Sequence, residues 1–295
     1  MMSTQALAAP TPAAAPTPAP GRLRVRWRFL ALGTRLWLGL GLIAAILAMA
    51  VLVPLLDHAS PIALNPIDAM LPPSLAHPMG TDQYGRDIFL RAAYAARLDL
   101  MFGVAPVLVS LVVGGALGLV SGYLGGLTDT VVMRLVDVMV AFPYLVLVIV
   151  IIAIVGPGVP GMMLAIVIVD WTVYARLVRG EALVVRRLDY VTAGRILGLG
   201  RSRIMFRHVL PNVVTPALVY SMVDVVNTIL VAASLSFLGL GVQPPTPEWG
   251  AMIADGQNFI FQAWWMTVMP GLALVVTGVG LSLVADGVAE MIEGG

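Results

Sequence analysis

Two carboxylates in this 295-residue chain, Asp170 and Asp224, each sit inside an apolar stretch. A charged group at membrane depth is rare and faces the bundle interior, water or a partner group. Three chemistries are open to the pair. They could line a translocation path and meet the amino terminus of a substrate, or relay a driving ion. They could also serve only structural hydrogen bonds, as in a pairing of Asp170 with nearby Arg176. Little else here can do chemistry. The chain has no Cys, which excludes disulfides and thiolate-ligated metals. All 17 basic residues are Arg, so there is no Schiff-base lysine and no lysine for a phosphate-binding P-loop. His58, His77 and His208 are far apart in sequence and form no ligand cluster. A net charge of +1 gives no electrostatic case for nucleic acid as a partner.

The elements that must position these residues follow from composition. With 59% hydrophobic and 11% charged residues, the chain falls outside the range of soluble domains, which carry about 25% charged residues. One membrane span needs about 20 apolar residues. The first candidate is Leu36 to Leu56, and the second lies between Asp99 and Asp129. The charge-free run from Val138 to Val169 is too long for one span. The Gly156-Pro-Gly-Val-Pro-Gly161 segment divides it into spans near 138–155 and 161–178. Two more cover roughly 213–235 and 265–288. The chain therefore reads as an all-α membrane protein of about six transmembrane helices. Arginines set the orientation, with fourteen on one side against Arg86, Arg91 and Arg97 on the other. Both termini are expected in the cytoplasm. Residues 5–20 are almost entirely Ala, Pro and Thr and read as a disordered tail. The basic run and apolar segment after it could be a signal peptide, with Ala48-Met49-Ala50 as a cleavage site. The segment exceeds the usual apolar length, so it is read as an uncleaved first span.

Smaller signals have local readings. Arg86 to Asp99 looks like an external amphipathic helix carrying an Asp87–Arg91 pair. Gly114, Gly115, Gly118 and Gly122 permit close helix packing. Trp264 and Trp265 suit interfacial anchors, and the 16 Met suit flexible core filling. Arg134 and Asp137 lie on one helical turn and can pair.

The sharpest signal is the span-free stretch of some 30 residues from Arg179 to Asn212. It reads as a helix over 181–197, a turn at Gly198-Leu199-Gly200, and a second helix from Ser202 as N-cap to Val209, stopped by Pro211. Such a hairpin suits docking into a cytoplasmic partner. A basic hairpin lying on anionic lipid fits the spacing equally well.

Tyr190-Val-Thr-Ala-Gly-Arg-Ile-Leu-Gly198, followed by Arg207-His-Val-Leu-Pro-Asn212, resembles the EAA loop of binding-protein-dependent ABC importer permeases. The form is similar to the C-type permease subunit of the dipeptide and oligopeptide branch. Gly80-Thr-Asp-Gln-Tyr-Gly-Arg-Asp87, Met133 to Pro143, Tyr174 to Gly180 and Ala233 to Gly250 resemble other segments of that branch. In this chain Thr192 stands where the family usually has Glu, and Gly194 where it has Ala. Asp189, one turn upstream, is placed to compensate.

The resemblance implies type I ABC importer permease architecture. Its domains would be a cytoplasmic tail over 1–29, a first transmembrane helix with an external segment over 30–96, and a permease core over 97–290. That core contains the loop at about 181–212. The resemblance further implies that the chain is a non-catalytic subunit in the cytoplasmic membrane, paired with a homologous second permease and surrounded by lipid. A cytoplasmic ATPase would hold ATP and Mg, so no cofactor is expected here, and an extracytoplasmic peptide-binding protein would deliver cargo. The implied ATPase-docking residues are Asp189, Tyr190, Thr192, Ala193, Gly194, Leu197, Gly198, His208, Leu210 and Pro211, with Arg134 and Asp137 from the first coupling segment. Nickel, glutathione or haem importers built on the same architecture are alternatives. An ion-coupled secondary transporter using Asp170 and Asp224 is the rival from another class. Because the chain lacks Cys, single cysteines report topology without background. Cysteine at Ser60 or Thr246 should react with an impermeant thiol reagent in intact cells, and cysteine at Ser202 should not; labelling of Ser202 would reverse the orientation.

Overall fold

The computed structural model describes residues 33–293, which are helical apart from turns and one isolated bridge between Thr81 and Asp87. The expected tail at 1–29 lies outside the described residues. The helices are α1 (Thr34–Leu56), α2 (Ile88–Leu124), α3 (Gly126–Val140), α4 (Tyr144–Val155) and α5 (Val159–Val185). Two short helices follow, α6 (Asp189–Ile196) and α7 (Arg201–Ile204). The last three are α8 (Leu210–Phe237), α9 (Trp249–Gly256) and α10 (Trp265–Glu293). Five helical stretches are long and apolar enough to cross a membrane, and α3 with α4 makes a sixth only as a pair bent by 92°.

That bend corrects the expected third span at 138–155. Pro143 removes a backbone donor and disfavours helical geometry at Phe142, so the chain turns there and restarts at Tyr144. The turn into α5 is where the glycines place it, with Gly156 and Gly158 at φ +108° and +112°, backbone that L side chains rarely adopt. The external amphipathic helix expected over Arg86 to Asp99 is instead the beginning of α2, since no Gly or Pro interrupts the chain before Gly103. Asp87 does not pair with Arg91. It caps α2 by accepting the Leu90 N–H at 2.9 Å, while His77 Nδ1 lies 2.7 Å from its other oxygen.

The centre of the bundle is the contact between α2 and α5. A Cβ on Gly114, Gly118 or Gly122 would meet the carbonyl oxygens of Trp171, Ala175 and Arg179 in turn. Both series advance four residues at a time, so the two helices meet backbone to backbone along one stripe. Gly115 takes no part, since its Cβ would find only a Val178 methyl at 3.9 Å. Three apolar clusters surround this seam. One joins α1, α2, α9 and α10, one joins α2, α5, α6 and α8, and one joins α2, α4, α5 and α8.

At the end of the bundle remote from α6, the Gly80-to-Asp87 segment is a buried turn. Asp82 accepts the N–H groups of Tyr84 and Arg86 and pairs with the Arg86 guanidinium at 2.6 Å. The Trp265 indole donates to the Thr81 carbonyl at 3.1 Å, so Trp265 is a core residue rather than an interfacial anchor, whereas Trp264 is 48% exposed. We expect Gly118→Ala to destabilise the purified protein by about 1–3 kcal/mol through overpacking. Gly115→Ala should leave the thermal unfolding midpoint unchanged or raised.

Candidate functional site

The 189–212 region is a compact platform closed at its tip by a glycine. Gly198 (φ +75°) donates to Arg195 O at 3.0 Å, and Leu199 donates to Gly194 O at 3.1 Å. This is the Schellman closure of α6, completed by the Leu199 side chain, which would touch a Cβ at Gly194. Val191, Ile204, Met205 and Val209 are buried against α2 and α5. Ile196 and Leu197 point outward, 82% and 78% exposed, beside exposed Thr192 and Ala193.

The boundaries differ from expectation in three ways. Residues 181–185 are the last turn of α5, and α6 starts only at Asp189. Ser202 is not an N-cap, because α7 already begins at Arg201. Pro211 does not stop the second helix. A π turn over Met205–Val209, with Leu210 donating to Met205 O, absorbs the missing N–H, and the helix runs unbroken from Arg201 to Phe237. The His208 carbonyl gains side-chain donors instead, from Asn212 Nδ2 at 2.7 Å and the Tyr190 hydroxyl at 3.4 Å. Asn212 also donates to that hydroxyl at 3.1 Å, which ties α6 to the start of α8.

The structure thus gathers Tyr190, Gly194, Gly198, His208 and Leu210 into one unit, with Asp189, Thr192, Ala193, Leu197 and Pro211 on its exposed surface. Arg134 and Asp137 lie elsewhere, exposed on α3, and no ion pair joins them among the described residues. What anchors α3 is a pairing that sequence spacing does not link, fifty residues apart. Arg179 of α5 grips Asp129, its Nη2 2.7 Å from Oδ2, and the Ser121 hydroxyl donates to the same carboxylate.

The second candidate site lies midway along α5. Asp170 and Asp224 are brought within electrostatic reach of each other, 5% and 7% exposed. The Tyr174 hydroxyl donates to Asp224 Oδ2 at 2.8 Å, and the Tyr220 ring packs edge-on against Tyr174 at 5.5 Å. Tyr144, the first residue of α4, faces Asp170. Asp170 makes no ion pair with Arg176 among the described residues, and its Oδ2 is buried without a hydrogen-bond partner.

A third polar group was not anticipated. Glu248 is fully buried and caps α9 by accepting the Gly250 and Ala251 N–H groups at 2.9 and 2.7 Å. Burial pushes its carboxyl above the ordinary range. Asp99 of α2 accepts the Trp249 N–H at 3.2 Å. Asp99 marks the edge of an apolar run, but nothing local to the sequence links two residues so far apart.

Residues 114–294 match the family of binding-protein-dependent transport system inner membrane components. The chain belongs to this family. It is thus a multi-pass inner-membrane permease subunit of the type I ABC fold, non-catalytic itself and part of a larger transport system. A probable D,D-dipeptide transport system permease protein of Escherichia coli is 40% identical over 85% of both chains. A di/tripeptide transport system permease protein of Pseudomonas aeruginosa is 42% identical over 73% of this chain and 71% of its own. A glutathione transport system permease protein of Pectobacterium atrosepticum is 40% identical over 75% and 73%.

Within the permease, the two loop glycines separate cleanly. Gly194 is buried mid-helix with ordinary contact distances around a hypothetical Cβ, whereas Gly198 has open space but left-handed backbone. Gly194→Ala should stabilise the loop by about 0.5–1 kcal/mol. Gly198→Ala should destabilise it by about 1–2 kcal/mol. Hydrogen exchange of the 189–200 amides measures both.

Proposed function

We propose that this permease is one of two homologous membrane subunits of an ATP-driven importer for dipeptides or oligopeptides. Cytoplasmic ATPase subunits would hold ATP and Mg, and an external binding protein would deliver the peptide. The observation that carries the coupling is the rigid platform with an outward apolar face at Ile196 and Leu197, flanked by Thr192 and Ala193. An exposed apolar patch braced from behind suits a partner groove. Relatives whose names specify dipeptides and di/tripeptides support the cargo. The arginine bias supports a cytoplasmic position for this platform and for both termini. Glutathione, itself a small peptide, is the second reading that a relative supports.

In this scheme, closure of the ATPases on nucleotide displaces α6. The loop's buried face rests on α2 and α5, so the displacement passes into the glycine seam and reaches Asp170 and Asp224. Asp224 already accepts a hydrogen bond from Tyr174, which suits a structural role. Asp170, with an unpartnered oxygen, is the group left to meet a peptide's ammonium.

The test is reconstitution of both permeases with the ATPase subunits, supplied with the loaded binding protein. Wild-type vesicles should take up dipeptide only with ATP. Ile196→Asp should lower ATPase co-purification and uptake at least tenfold while leaving permease pairing intact. Asp170→Asn should keep ATPase docking and lose uptake. Uptake that follows an ion gradient without ATPase subunits would overturn the assignment.

A further inference from the structure

A cleft of about 860 Å3 lies behind the docking face, between the ends of α2 and α5 and the loop. Four guanidiniums line it, from Arg186, Arg187, Arg195 and Arg201, with Tyr123 and Thr192, and no carboxylate is among its lining residues. Two of the arginines are held in place. Arg186 donates to the Gly122 carbonyl at 2.8 Å, and Arg195 stacks over the Tyr123 ring at 5.6 Å. Asp129, whose carboxylate feels Arg186, is already gripped by Arg179 and Ser121. None of the four arginines has an ion-pair partner among the described residues. Four like charges around one cleft repel unless an anion enters, and arginine forks match phosphate oxygens two at a time.

Position selects the source of that anion. Tyr123 and Leu124 end α2, while Arg186 and Arg187 follow the last residue of α5. At 1.5 Å per residue α5 is about 40 Å long against a hydrocarbon core of about 30 Å, so its end stands at headgroup level. Leu124, 49% exposed at the cleft wall, offers apolar surface to an acyl chain. We propose that this cleft binds the phosphate headgroup of an anionic phospholipid from the leaflet on the loop side, bracing the loop against the ends of α2 and α5.

The side chains of Arg187 and Arg201 are exposed and make no hydrogen bond among the described residues, so their replacement leaves the fold intact. The paired permeases, delipidated in detergent, are titrated with short-chain phosphatidylglycerol, phosphatidylcholine or inorganic phosphate, and bound lipid is read by native mass spectrometry. Wild type should retain phosphatidylglycerol and not phosphatidylcholine. At about fivefold per arginine, Arg187→Gln with Arg201→Gln should weaken that binding by about 25-fold. Arg203→Gln with Arg207→Gln, outside the cleft, should not weaken it. Equal loss in the second pair, or inorganic phosphate binding as tightly as the lipid, would overturn the proposal. Unchanged lipid binding with weakened ATPase co-purification in the first pair would assign the cleft to the ATPase instead.

Discussion

Direct backbone contact between α2 and α5 governs the rest of this molecule. Three glycines spaced by four residues let one helix lie against the carbonyls of the other. Helices that approach this closely cannot slide or rotate independently without clashing, so the pair behaves as a single rod. The features with chemical potential all hang from it. Asp170 projects from its middle, the Arg179–Asp129 clamp hangs α3 from its lower part, and the loop platform rests on its end. At the opposite end Asp99 and the Ala92 carbonyl of α2 receive the Trp249 backbone and indole N–H groups.

Much of this was legible from residue order because membrane spans are written in composition. Apolar runs of the right length located the helices, and the Gly156–Gly158 turn was visible since only glycine tolerates those dihedrals. The loop's turn at Gly198 was legible for the same reason. What it failed to convey was continuity. Proline carries opposite outcomes at Pro143 and Pro211, breaking the chain in one case and being absorbed in the other. The difference lies in context. At Pro211 a π turn re-routes the ladder, and Tyr190 and Asn212 claim the His208 carbonyl. At Pro143 the chain bends instead.

The candidate sites were legible in part. Asp170 and Asp224 stood out as charges in apolar runs, but their tyrosine companions did not, since a tyrosine in a span is unremarkable by composition. Glu248 and Asp99 form a junction visible only in three dimensions. Asp189 is exposed and sits in the first turn of α6, where a carboxylate favours the helix dipole. Arg134 and Asp137, which the resemblance implies as further ATPase-docking residues, lie exposed on α3, apart from the loop's own packing.

The short α4 carries a consequence for the bilayer itself. Twelve residues give about 18 Å of helix, well short of the roughly 30 Å hydrocarbon thickness. Lipid facing that flank would have to thin, at a fraction of a kcal/mol for each ångström of mismatch. A neighbouring protein helix imposes no such deformation. Hydrophobic thickness therefore becomes a variable of this protein: thicker, sterol-like bilayers penalise exposure of the α4 flank, and thinner ones relax the penalty.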